Sequence, residues 1–167
     1  NSANLYMEHF PYLNKLWFGE YFDYEKNKPD FFLTEVSGIP FGLMGEMLQD
    51  GGNAWRGVIY GMTNRMPWSE NADPRPIWKV WDEFGIKESE MIGYWSENCP
   101  VKTSNDKVLA TVYKKNGSSL ISIASWADAD VEVELNIDWN KLGIDPSKAI
   151  LTAPAIKNFQ PAKTFSP

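Results

Sequence analysis

Near residue 98 the apolar residues of this chain change their period, and a chain that does so must build two kinds of layer. Upstream, short apolar runs alternate with segments whose apolar residues recur every three or four positions. Leu5, Met7, Phe10 and Leu13 predict a short helix over 2–14, capped by Ser2 or Asn4, with Pro11 ending it early or bending it. A buried strand is expected over 15–21. Pro29 and Asp30 open a second helix over 31–36, which Ser37 and Gly38 close. Residues 40–44 read as another strand. Trp55, Val58, Ile59 and Met62 then fall at helical spacing, as do Ile77, Val80, Trp81 and Phe84 ahead of Gly85. That rhythm belongs to an α/β fold with parallel strands.

Downstream the period becomes two. Residues 108–114 alternate, and Asn116-Gly117 predicts a type I′ hairpin that returns the chain as a strand over 119–126. Val131, Val133, Leu135 and Ile137 alternate with Glu132, Glu134 and Asn136, the pattern of a half-exposed strand over 131–137. A helical turn is expected over 139–143 and a further strand over 149–152. The expected fold class is therefore α/β followed by all-β, with domains at 1–98 and 99–167, the second a small antiparallel β-sandwich.

Composition narrows the function. A net charge of −6 with scattered lysines does not suit a nucleic-acid backbone, which requires a basic surface. No apolar run reaches the roughly eighteen residues that a membrane span needs. Asn1-Ser2-Ala3-Asn4 has neither the basic region nor the apolar stretch of a signal peptide, which leaves export open. The single cysteine, Cys99, has no disulfide partner, and with one histidine no zinc ligand set is expected. Cys99 reads as a buried thiol and His9, beside Phe10, as structural. Asn116-Gly117-Ser118 has the form of a glycosylation acceptor, but a hairpin turn accounts for it.

The acids are placed unusually. Glu20 and Asp23 follow the run Leu16-Trp17-Phe18-Gly19, and Glu46 follows Phe41-Gly42-Leu43-Met44-Gly45. A carboxylate at the carboxyl end of a buried strand, among aromatic residues, suits the mouth of a barrel enzyme that acts on sugars. Aromatic residues make up 14% of the chain, and Trp17, Trp55, Trp68, Trp78, Trp81 and Trp95 all precede residue 98. Most of these read as core, Trp17 included. Trp68, in a loop between Pro67 and Ser69, is the better stacking surface for a sugar. Each acid also has a plainer reading. Glu20 would bond a loop backbone, Glu46 would pair with Arg56 or Arg65, and Asp23 would cap a turn. Arg65 itself would meet the carbonyls at a helix end.

The blocks LWFGEYFDY, EVSGIPFGLMGEMLQDGGNAWRGVIYGMTNRMPW, DPRPIWKVWDEFGI and CPVKTSNDKVLATVY resemble the C-terminal part of large glycoside hydrolases of gut-type Bacteroidetes. The resemblance covers nearly the whole chain. It implies the last part of a (β/α)8 barrel over 1–98, with the seventh strand at 15–20 and the eighth at 40–46, and a truncated β-sandwich over 99–167. It further implies hydrolysis of glycosidic bonds by carboxylate acid–base chemistry without cofactor or metal, in the periplasm or outside the cell. Glu20 and Glu46 become catalytic candidates, and Asp23, Tyr24, Arg65 and Trp68 become sugar-binding candidates. The partner would be an oligosaccharide or polysaccharide. Truncated strand edges would pair copies of the chain into a homo-oligomer. Because related barrels carry their acid pair after the fourth and sixth strands, the fragment alone is expected to be inactive. A carbohydrate-binding or accessory module without catalysis, or a purely structural domain, is the alternative.

Overall fold

The computed structural model describes residues 3–18, 26–33, 44–47, 54–62 and 73–165. These belong to two compact units: Asn1–Asp73 together with Ala124–Asp128, and Pro74–Ile123 together with Ala129–Pro167. The division falls upstream of the 98/99 junction that the change of period suggests.

The first unit opens with a 3-10 helix over Ala3–Tyr12 that contains Pro11. The expected short helix is thus present, wound as a 3-10 helix, and Pro11, which cannot donate to a helical carbonyl, falls in its last turn. Phe10 is buried, whereas Leu5, Tyr6, Met7 and Tyr12 are exposed. Strand β1 covers Lys15–Phe18, and a single helical turn, α1, covers Pro29–Phe31 with proline at its start. Strand β2 covers Met44–Met47, so it runs through Glu46, where the expected strand over 40–44 placed that residue beyond the end. The two strands pair in parallel, Lys15 opposite Met44 and Trp17 opposite Glu46.

A 3-10 helix follows over Ala54–Tyr60, in place of the α-helix expected from the spacing of Trp55, Val58 and Ile59. Its apolar residues still do what the spacing implied. Val58, Ile59, Tyr60 and Met62 are buried with Phe32 and Leu33, and Phe32 and Ile59 are wholly inaccessible. The Phe32 and Tyr60 rings lie 4.6 Å apart between centroids, and the Tyr60 hydroxyl donates to the Pro29 carbonyl at 2.9 Å. The expected helix over 31–36 is described only as far as Leu33.

The second unit begins with α2, Arg75–Phe84, which turns Ile77 into the core and ends at Gly85 in the left-handed conformation. A 3-10 turn, Ile86–Glu88, leads into β3, Glu90–Ile92, a strand that the sequence pattern did not suggest. Then come β4, Val101–Thr103, β5, Val108–Lys115, and β6, Ser118–Ser125. The chain continues with β7, Leu135–Ile137, α3, Trp139–Leu142, β8, Leu151–Ala153, and β9, Lys163–Phe165. The sheets are β3-β5-β6, β4-β7 and β8-β9, antiparallel wherever the register is defined. Cys99, Val101, Ala110, Val112 and Leu142 form the core, with Ile92, Ile121, Leu135 and Trp139 packed against it.

Three departures from the alternating pattern have physical causes. Strand β5 buries Thr111 and Tyr113 as well as Val108, Ala110 and Val112, because it is the middle strand of its sheet and is covered on both faces. The expected strand over 131–137 pairs only along its last three residues, since β4 is three residues long. Beyond it the pairing closes with Ser104, which exchanges bonds with Glu134 at 3.0 and 2.9 Å. Of Asn116 and Gly117, only Gly117 has positive φ, at 75°. The hairpin turn is therefore not type I′, which needs positive φ at both residues.

Helix α2 belongs with these strands because Lys115, at the end of β5, holds its last turn. The Lys115 ammonium donates to the Phe84 carbonyl at 2.5 Å and stands 4.9 Å from the centre of the Phe84 ring.

Gly117→Val is expected to destabilise the second unit by about 1–2 kcal/mol, the cost of a left-handed conformation for a residue with a Cβ. Nothing lies within 4 Å of a Cβ at that position, so backbone strain is the whole effect. An unchanged urea midpoint would show that the turn relaxes freely. Burial also pushes the Tyr113 phenol above its ordinary range. A group whose folded pKa is raised contributes fully below its unfolded value, about 10, and loses that contribution as pH climbs towards the folded one. Stability should therefore fall above about pH 10, and Tyr113→Phe should flatten the decline. Denaturant titrations on either side of that pH compare the two proteins, and equal slopes would refute the assignment.

Candidate active site

Parallel pairing fixes the polarity of the first unit. Strands β1 and β2 end on the same side, at Phe18 and Met47, and both following connections must leave from there. In α/β folds that side carries the site. Glu20 is the second residue after β1. Glu46 is the third residue of β2, in register with Trp17 and inside the hydrogen-bonded ladder. Glu20, Asp23, Tyr24, Arg65 and Trp68 lie outside the described residues, and Glu46 is described through its backbone alone.

What the structure does describe is the chain on either side of those residues. The connection from β1 returns through Lys26–Leu33, and the chain after β2 settles into Ala54–Met62. Tyr60 joins the two through its bond to Pro29 and its contact with Phe32. A second join comes from residues far along the chain. The Trp126 indole N–H donates to the Asn27 carbonyl at 3.2 Å, and the Arg56 guanidinium lies 5.0 Å from the centre of the Trp126 ring. Trp126 belongs to the segment Ala124–Asp128, which is part of this first unit. Sequence reasoning missed this group. Arg56 stood only as a partner for Glu46, and no local pattern connects Asn27 with a residue 99 positions away.

Two other reactive groups lie apart from these connections. The Cys99 thiol is buried and points at the carbonyls of Val101 and Ala110, 3.4 and 3.5 Å away, as a core group rather than a nucleophile. His9 is exposed beside Glu8 at 3.5 Å. Among the described residues no cluster of His, Cys, Asp or Glu is arranged to hold a metal, and no helix is long and apolar enough to cross a membrane.

An open depression of about 180 Å³ in the second unit is lined by Tyr94, Lys102, Thr103, Asn105 and Asp106 among others. Its polar groups are largely engaged already. Thr103 donates to the Asn105 and Val108 carbonyls, and Asn105 accepts from the Lys107 backbone at 2.9 Å. Lys102 donates to the Ser96 carbonyl at 3.2 Å. A ligand there would have to displace bonds that hold the turn.

A parallel βα unit followed by antiparallel sheets is an arrangement found in barrel hydrolases that carry a trailing β domain, and the family comparisons agree. Residues 73–167, more than half of the chain, match the C-terminal domain of glycoside hydrolase 123, and residues 1–67 match the TIM-barrel domain of the same family. The chain belongs to the glycoside hydrolase 123 family. The two matches meet where the compact units divide. Neither a curated protein nor a solved structure matches the chain.

Tyr60→Phe keeps the ring against Phe32 but removes the bond to Pro29. It is expected to cost the first unit about 1 kcal/mol, the usual net value of one hydrogen bond. Urea unfolding of wild type and variant measures it. A variant of equal stability would show that the hydroxyl is as well satisfied by water.

Proposed function

We propose that the first unit forms part of a (β/α)8 barrel and presents the rim of a glycosidase site after β1 and β2. The parallel register of these strands carries the proposal, because it sends both connections to one side, as the match to a TIM-barrel domain requires. Glu20, just past the end of β1, takes the role of acid or base. Glycoside hydrolysis needs one carboxylic acid to protonate the leaving oxygen. A second carboxylate then attacks the anomeric carbon or activates a water. The pair stands about 5–5.5 Å apart for retention and about 6.5–9.5 Å apart for inversion.

Glu46 has the second role in this scheme, yet its place inside the β2 ladder favours a different duty: a hydrogen bond to a sugar hydroxyl or to a neighbouring cation. The second catalytic carboxylate then comes from another barrel strand. Asp23, Tyr24 and Arg65 would bond sugar hydroxyls, and Trp68 would offer its face to the apolar side of the ring. The chain alone would lack turnover, since two strands do not enclose a site that eight strands build. Barrel strands beyond β1 and β2, or a second copy of the chain, would cover the outer edges of the pair. A polymeric sugar substrate would suit the periplasm or the outside of the cell, and the resemblance of the sequence blocks supports a source among gut-type Bacteroidetes.

In a polypeptide that carries the whole barrel, Glu20→Gln should lower kcat on an oligosaccharide, whose sugar leaving group must be protonated, by about 10²–10⁴-fold, the usual contribution of a general acid or base. Gln keeps the size of Glu but cannot ionise, so the fold should persist. Release of reducing ends at saturating substrate measures the effect, and normal turnover by the variant would remove Glu20 from the chemistry.

A further inference from the structure

We propose that Trp126 is a positioning residue for the glycosidase site, holding the connection that follows β1 against the chain that follows β2. This role rests on the reading of those two connections as the rim of the site. The geometry is specific. One edge of the indole gives its N–H to the Asn27 carbonyl at 3.2 Å, while its face receives the Arg56 guanidinium at 5.0 Å. Asn27 lies in the connection from β1 to β2, seven residues after Glu20, and Arg56 lies in the 3-10 helix after β2. Tryptophan is the side chain that provides both contacts together, a rigid donor at its edge and the strongest cation-binding face among the aromatics.

Two further observations support the assignment. Trp126 follows directly on β6, which ends at Ser125, and Ala124–Asp128 belongs to the first compact unit. The turn leaving β6 is itself braced, since the Ala127 N–H donates to the Ser125 hydroxyl at 3.1 Å. The indole is thus presented on a constrained backbone. Tyr60 already ties Pro29 to the same helix through an independent bond, so Trp126 adds a second fixed point two residues earlier in the connection. One point fixes a distance, whereas two fix an orientation.

The two contacts separate by substitution. Trp126→Phe keeps a ring for Arg56 and loses the donor to Asn27; Trp126→Ala loses both. In the chain as it stands, Trp126→Phe should speed amide hydrogen exchange across 26–33 by roughly tenfold, as expected when a part-buried carbonyl loses its partner. Exchange across 54–62 should rise only in Trp126→Ala, and β3 and β5 should keep wild-type protection in both variants. In the enzyme with its whole barrel, Trp126→Phe should raise KM for 4-nitrophenyl glycosides with kcat little changed. Wild-type exchange over 26–33 in both variants would overturn the proposal. So would faster exchange with unaltered KM and kcat, which would leave Trp126 as packing alone. An enzyme that cleaves none of these glycosides would sink the glycosidase reading instead. The exchange comparison needs no substrate and would still decide whether Trp126 holds Asn27.

Discussion

Two strands that run in parallel cannot be joined by a tight turn. Between Phe18 and Met44 the chain has to travel back the length of the strand before pairing in register with Lys15. Everything else in the first unit answers that requirement. The return path is anchored at its described end by α1, where proline pre-sets the turn, and by Phe32 beneath Tyr60. Because the strands share a direction, the connections that leave them share a side. A parallel pair therefore creates a place for a site before any particular side chain is chosen for it. The residues that hold the connections then matter as much as those at their tips.

The second unit is organised around β5. Being central, it must satisfy both faces and both edges, and the residues along it divide that work. Val112, wholly buried, and Ala110 join the core that Leu142 closes. Thr111 accepts the Tyr94 N–H through its hydroxyl at 3.2 Å, so a polar atom at full burial is satisfied rather than stranded. Lys115 ends the strand by holding the last turn of α2. Close packing at the edge of the unit is set by Gly93, where a Cβ would stand 2.4 Å from ring carbons of Trp95. The Trp95 ring can lie there only over a residue with no side chain, and Tyr94 meets its edge at 86°.

Much of this was legible in the sequence, and what was not has identifiable causes. The β5–β6 hairpin, the α2 stripe ended by Gly85 and the short α3 all follow from local signals of period, turn and cap, because their stabilising contacts are close along the chain. The strand limits of β2 and β7 depend on how far a partner extends, which no local window contains. Strand β3, three residues long, carries no period to detect and exists because β5 has a free edge to pair with. The 3-10 windings at Ala3–Tyr12 and Ala54–Tyr60 share with α-helices the residues that signal a helix, and the pattern alone does not separate the two. Of the proposed site, sequence points to Glu20 two residues beyond Phe18, where β1 ends. It could not reveal that Glu46 would sit one step inside a ladder.

That difference of position is chemically consequential. A residue beyond a strand's end has a backbone free of the ladder, so its carboxyl group can approach a substrate and take up or release a proton as the bond breaks. A residue within the ladder has its backbone fixed on both sides, and its reach is set by the pleat. Such a position suits a group that must not move, one that fixes a hydroxyl or keeps a neighbouring charge in place. Groups remote in sequence can then refine the site without touching its reacting atoms. The indole of Trp126 is such a group, since the Asn27 carbonyl and the Arg56 guanidinium that it meets belong to the two connections that the parallel pair sends to one side. A rim assembled in this way does not depend on any one connection being rigid by itself. Its described parts are held by the parallel register of β1 with β2 and by the bonds that Tyr60 and Trp126 make to Pro29 and Asn27.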